Sequence, residues 1–213
     1  MSAESNWGEK MISKECYKIY LIGIGGQGTI KTATIIGEAA MSQGLNVVMS
    51  EVHGMAQRGG TVVTELKIGK ANSPLIEKNA ADLILAFEPS EILRALNKIS
   101  RETCVIANRS TIIPFTVSLG ISKYPDKIEM FDKFKQEIDN LYLIDAEKLA
   151  KEAGHIIAAN IVILGAALAI PEFPVKKEAV IGSVRKNLPA RTIDINLKAL
   201  EMGYQQVVPT FAG

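Results

Sequence analysis

Cysteine and histidine are scarce in this 213-residue chain: Cys16, Cys104, His53 and His155 are all it has. Two thiols cannot staple a disulfide scaffold, and an all-cysteine zinc site or an iron–sulfur cluster needs four thiolates. No metal site is therefore expected. Charge of either sign is not in excess, since 24 basic side chains face 23 acidic ones for a net +1. That balance carries no electrostatic footprint for nucleic acid or an acidic membrane. Long apolar runs are missing too. The longest, Ile156 to Ile170, is interrupted by Asn160 and falls short of the roughly 20 residues that span a bilayer. The start, MSAESNWGEKMISKECYK, is polar and lacks the apolar core of a signal peptide. A cytoplasmic protein without membrane or nucleic-acid contacts is the expectation.

What is present is a globular composition, 47% hydrophobic and 22% charged, of a length suited to one domain. Apolar β-rich runs alternate with helical periodicity, the pattern of a mostly parallel α/β sheet. KIYLIGIG (18–25) predicts a buried first strand, Thr29–Gly44 a helix stopped by its glycine, and Leu45–Glu51 a second strand. Residues 52–60 read as a loop. Thr61–Lys70 alternates with a period of two, which predicts a half-exposed strand suited to antiparallel pairing. Further strands are expected at 82–89, 103–110 and 141–146, with a helix after Ser90 as its N-cap and an amphipathic helix before residue 140. From Ala146 onward the pattern is helical, including an Ala/Gly-rich buried helix over 155–169. The fold class is thus α/β, a Rossmann-like three-layer sandwich in a single domain over 16–205. Residues 1–15 read as an N-terminal arm and 206–213 as a tail.

Two loops carry the chemistry. The first, Gly23-Ile24-Gly25-Gly26-Gln27-Gly28, satisfies G-x-G-x-x-G between a strand and a helix. Glycines there permit positive φ and close backbone approach, and the first helical amides can bind an anion. Glu51 falls where the ribose-binding acid of a dinucleotide fold would stand. NAD or FAD binding is one reading; a tight strand-to-helix turn with another role is the other. The second loop, His53-Gly54-Met55-Ala56-Gln57-Arg58-Gly59-Gly60, sets an arginine among glycines. Its guanidinium and the nearby amides are left unobstructed for an anion or a partner's carboxylate. Read residue by residue, Gly59-Gly60 is equally a plain turn, His53 a buried structural histidine and Arg58 a solvated charge.

The pairing of GIGGQG with SEVHGMAQRGG, each after a strand, resembles the gamma-type domain of 2-oxoacid:ferredoxin oxidoreductases. Within that family the HGMAQRGG form is most similar to the indolepyruvate-acting members. DLILAFEPSEILRAL (82–96) and NIVILGAAL (160–168) agree, and the resemblance runs over roughly residues 16–205. It implies a non-catalytic subunit beside a larger alpha chain, which would hold thiamine diphosphate, magnesium and [4Fe-4S] clusters and pass electrons to ferredoxin. Together they would convert an aryl 2-oxoacid and coenzyme A to an aryl-acetyl-CoA and carbon dioxide. Relatives acting on pyruvate or other 2-oxoacids share the same logic. No cofactor and no catalytic residue is expected in this chain, which has neither a GDG-to-NN thiamine pattern nor cysteines for an electron relay. Gly23, Gly25, Gly26 and Gly28 would shape the turn. His53, Gln57, Arg58, Gly59 and Gly60 would face the subunit junction or an anionic group, with His53 as a hydrogen-bonding group rather than a general base. A homodimer contact is left open.

Overall fold

The computed structural model describes residues 14–53, 60–111 and 124–211. A six-stranded sheet forms its middle layer, built from β1 (Cys16–Ile24), β2 (Val47–His53), β3 (Thr61–Gly69), β4 (Leu83–Ala86), β5 (Cys104–Asn108) and β6 (Asn140–Ile144). The spatial order is β2-β3-β1-β4-β5-β6. β1, β4, β5 and β6 are parallel, whereas β3 runs antiparallel to both β1 and β2. β2 consequently points the same way as β1 but lies one strand further out.

Helices clothe the two faces unequally. One face is covered by α1 (Thr29–Ser42), α4 (Ala146–Ala153), α5 (Ala159–Leu168), α6 (Lys177–Asn187) and α7 (Ile193–Phe211). The other is covered by the single turn α2 (Ile92–Ala95), α3 (Lys127–Glu137) and the chain around Ile76 and Ala81. The alternation of β1 divides accordingly: Ile19 and Leu21 enter the thicker layer, Tyr20 and Ile22 the thinner one. Both faces of a central strand are thus covered, which is why β1 reads as an unbroken apolar run. α5 and α7 cross backbone to backbone. A Cβ on Gly165 would lie 2.0 Å from the Leu200 carbonyl oxygen, and one on Gly203 would lie 1.9 Å from that of Val162.

Three local expectations need correction. β2 starts and ends two residues later than its apolar run predicts, so the backbone of His53 belongs to the strand and pairs with Val62. β3 does have the predicted period of two, but it is not half-exposed. Glu65 and Lys67 are buried, because the connection from β3 to β4 folds over them. That connection brings Glu77, which meets Lys67 at 3.3 Å and Lys18 at 3.0 Å, while Lys98 reaches Glu65 at 3.3 Å. Glu65 also accepts the amide of Ile76, and Lys98 donates to the Ile76 carbonyl. Ser90 is not an N-cap. It lies inside a 3-10 turn, Pro89–Glu91, and its hydroxyl donates to the buried Glu88 carboxylate at 3.2 Å.

Candidate functional site

The glycine turn stands at the carboxyl end of β1, beside the ends of β4 and β5 and at the start of α1. Gly28 caps α1 with a left-handed backbone, φ 80, which a glycine adopts without the steric cost of a side chain. A Cβ there would also lie 2.7 Å from Asn160 Nδ2. The helix begins with the Thr32 amide on the Gly28 carbonyl at 2.9 Å, so the amides of Thr29, Ile30 and Lys31 have no helical acceptor. Gly23 is crowded for a different reason. A Cβ on it would meet Gln27 Oε1 at 2.7 Å, Thr29 Oγ1 at 2.9 Å and Phe87 Cβ at 3.0 Å.

Gln27 is the fastener of the turn. Its Oε1 accepts from the Ile24 amide at 2.9 Å, and its Nε2 donates to the Phe87 carbonyl at 3.0 Å. Asn108, at the end of β5, donates to the same carbonyl at 3.4 Å and accepts from the amides of Ser110 and Ala146, both at 3.2 Å. Asn160 donates to Thr32 Oγ1 at 3.4 Å. Three neutral carboxamides therefore hold the rim together. They surround a cavity of about 180 Å3 lined also by Gly26, Phe87 and Ile163. Position, not motif, links these residues; the one signal for them in the sequence is Asn160, a lone carboxamide inside an apolar helix.

The second loop departs from this same rim. His53 ends β2, and Gly60 precedes β3, where the Gly25 amide donates to the Gly60 carbonyl at 2.9 Å. The bases of the two glycine loops are thereby joined. Gln57, Arg58 and Gly59 lie outside the described residues.

The dinucleotide reading meets an obstacle in the sheet order. Glu51 pairs with Thr64 of β3, and Thr64 pairs with Leu21 of β1. With strands about 4.8 Å apart, Glu51 stands roughly 10 Å from β1, twice the separation of the neighbouring strand that carries a ribose acid. No group of three or more His, Cys, Asp or Glu side chains among the described residues could hold a metal ion. Cys104 is buried, which pushes its thiol up to about 12. Cys16 is half-buried and its thiol is raised as well, chiefly by burial. Neither suits a thiolate ligand. Among the described residues no helix is long and apolar enough to cross a membrane.

Comparison with known proteins agrees with this geometry. The chain is 50% identical to the indolepyruvate oxidoreductase subunit IorB of Methanothermobacter thermautotrophicus over 188 residues, 88% of this chain and 96% of that protein. It is 40% identical to the IorB subunit of Archaeoglobus fulgidus, covering 89% and 94% of the two chains. Among solved structures it is similar to the gamma subunit of a keto/oxoacid ferredoxin oxidoreductase from Geobacter sulfurreducens. That match has a TM-score of 0.67 at 26% identity and covers 91% of this chain and 99% of the other. The family described as pyruvate ferredoxin/flavodoxin oxidoreductase matches residues 18–206, nearly the whole of the sheet and its helices, and to that family of oxidoreductases the chain belongs.

Proposed function

We propose that this chain is the smaller subunit of an indolepyruvate:ferredoxin oxidoreductase and acts in the cytoplasm beside a larger subunit. The observation that carries this reading is the 50% identity to an IorB subunit across 96% of that protein's length. The assembled enzyme would take an aryl 2-oxoacid and coenzyme A to an aryl-acetyl-CoA. The bond to the carboxylate breaks as carbon dioxide, the sulfur–carbon bond forms, and a proton and a pair of electrons leave, the electrons passing to ferredoxin.

Thiamine diphosphate with magnesium supplies carbanion stabilisation in such chemistry, and [4Fe-4S] clusters supply the electron path. The cysteines of this chain do not fit a cluster, and its sequence has no GDG-to-NN thiamine pattern. Its two cysteines are fewer than a cluster needs and both thiols are raised, so we assign the cofactors to the partner. The work left to this subunit is positional. The glycine turn of Gly23, Gly25, Gly26 and Gly28 leaves amides open at the rim. His53, Gln57, Arg58, Gly59 and Gly60 form the contact with the partner or with an anionic group, the substrate carboxylate or a phosphate of coenzyme A.

Co-expression with the large subunit, followed by viologen or ferredoxin reduction with indolepyruvate, phenylpyruvate and pyruvate, tests the reading. Turnover should be highest on the aryl substrates; a preference for pyruvate refutes it. Arg58→Ala should impair either assembly or KM. A variant with wild-type assembly, turnover and KM removes the contact role of that loop.

A further inference from the structure

The sheet has two edges, and they are not alike. β6 is five residues long and is flanked by Asp139 and Asp145, a short edge set between charges. β2 has seven residues, VVMSEVH, with no proline, lysine or arginine among them and Glu51 as the one acidic side chain. Its register with β3 runs unbroken from Val47–Ile68 to His53–Val62, so no bulge turns it aside. Among the described residues no strand pairs with its outer side. Met49 is 38% exposed and Val52 60% exposed. β2 thus lacks the devices that keep a sheet edge from meeting another strand.

The backbone shows which groups this edge offers. The Gly69 amide donates to the Asn46 carbonyl at 2.8 Å, which makes Asn46–Gly69 a hydrogen-bonded position beside the β2–β3 ladder. Such positions alternate, so Val48, Ser50 and Val52 turn their amides and carbonyls toward β3, and Val47, Met49, Glu51 and His53 turn theirs outward. Side chains alternate with the same period. Val47 packs beneath α1, where a Cβ on Gly37 would lie 3.5 Å from its Cγ1. Met49 and Glu51 share that face of the strand, and Val48, Ser50 and Val52 take the opposite one.

We infer that β2 is a self-pairing edge, which joins the sheets of two copies of this chain antiparallel about a two-fold axis at Ser50. A ladder forms only where outward positions oppose outward positions, so the axis passes through a residue and not between two. Any centre other than Ser50 pairs fewer residues, and one on Glu51 brings two carboxylates face to face. Centred on Ser50, all seven residues pair and roughly eight backbone hydrogen bonds form. Val48 then opposes Val52 of the second copy, Met49 opposes its Glu51, and Val47 opposes its His53. The strand therefore matches itself, with apolar against apolar on one face and each glutamate against a methionine on the other. The two His53 backbones stand about 20 Å apart at opposite ends of the ladder, so each copy turns its own rim away from the other's.

Analytical ultracentrifugation of the full chain tests the pairing. The wild type should sediment as a dimer at high concentration and dissociate on dilution. Met49→Glu sets a carboxylate against Glu51 on both sides of the axis and should weaken the dimer roughly 5- to 30-fold, less at high salt. Met49→Lys removes the same apolar side chain but sets an ammonium against each Glu51, so its dimer should match or exceed the wild type in affinity. Equal melting temperatures of the dilute variants show that the fold is intact. Leu75→Glu, at a 60% exposed position in the connection to β4, should leave the dimer unchanged. A wild-type chain that stays monomeric at every concentration overturns the pairing. So does a Met49→Glu dimer as tight as wild type, equal weakening by Met49→Glu and Met49→Lys, or weakening by Leu75→Glu. None of these measurements needs the large subunit. A chain that dimerises through β2 yet binds no large subunit refutes the subunit reading alone.

Discussion

Replacing Gly165 with alanine sets two effects of opposite sign against each other. In an isolated helix the change is favourable by about 0.8–1.0 kcal/mol, since alanine loses less backbone entropy. In this chain the new methyl would lie 2.0 Å from the Leu200 carbonyl oxygen, backbone that cannot swing aside. Ordinary contact begins near 3.4 Å, so α5 and α7 must separate by roughly 1.4 Å. A gap of that size forfeits about half or more of the dispersion well across the seam, where Ile161, Val162, Leu164, Ala199 and Leu200 are buried. Overpacking of this kind costs about 1–3 kcal/mol and sometimes more, and here backbone meets backbone. The net expectation is a loss of about 2–3 kcal/mol, or roughly 4–12 °C in melting temperature for a chain of this length. Urea and thermal unfolding of the isolated chain, followed by circular dichroism, measure it. Gly203→Ala should behave alike, and the double variant should lose less than the sum, because helices already parted accommodate the second methyl. Gly182→Ala on α6 is the reference. A Cβ there meets nothing within 4 Å, so it should stabilise by about 0.5–1 kcal/mol. A Gly165→Ala variant as stable as Gly182→Ala would refute the close crossing.

Other perturbations test separate parts of the fold. The Glu77 carboxyl is lowered to about 2 by its own backbone amide first and then by Lys18 and Lys67. Its folded value lies below the unfolded one, so its contribution is present above about pH 4.5 and is lost as pH falls toward 2. Glu77→Gln should therefore flatten the acid limb of a melting-temperature profile between those values; an unchanged limb would contradict the Lys18–Glu77–Lys67 bridge. Cys104 should resist a thiol reagent at pH 8 until the chain unfolds, and Cys16 should react more slowly than a free thiol; rapid labelling of Cys104 in the native chain would place β5 differently. Gln27→Ala removes the bonds to the Ile24 amide and the Phe87 carbonyl and should cost about 1–2 kcal/mol, with faster amide exchange at Gly25–Thr29. A variant as stable as wild type would show that the carboxamide does not fasten the turn.

The β1–turn–α1 unit is legible because its signals are local: an apolar run, glycines at fixed spacing, then helical periodicity. The reversed direction of β3 is legible too, from its period of two. Its place between β1 and β2 is not, because pairing Ile24 with Thr61 and His53 with Val62 is a non-local choice that no periodicity records. Burial of Glu65 and Lys67 is hidden for the same reason. Their partners, Glu77 and Lys98, come from the connection to β4 and from the turn after α2, and nothing in the alternation of β3 records either. At the rim, Gly28 is readable and the residue that requires it, Asn160, stands 132 positions later. Gly165 and Gly203 look like small residues in apolar helices. Only the crossing shows that their smallness is what lets two backbones touch.

The bond from the Gly25 amide to the Gly60 carbonyl has a mechanical meaning. β2 and β3 form a continuous antiparallel ribbon, β3 is laddered to β1 as far as Thr61 and Ile24, and this bond carries the ladder one step further, to the turn that starts α1. The two loops are therefore not independent fingers. A load applied to one reaches the other through the end of the β1–β3 ladder and this added peptide hydrogen bond, beside the start of α1. Whatever docks on the rim pulls on the helix and the ribbon as one lever.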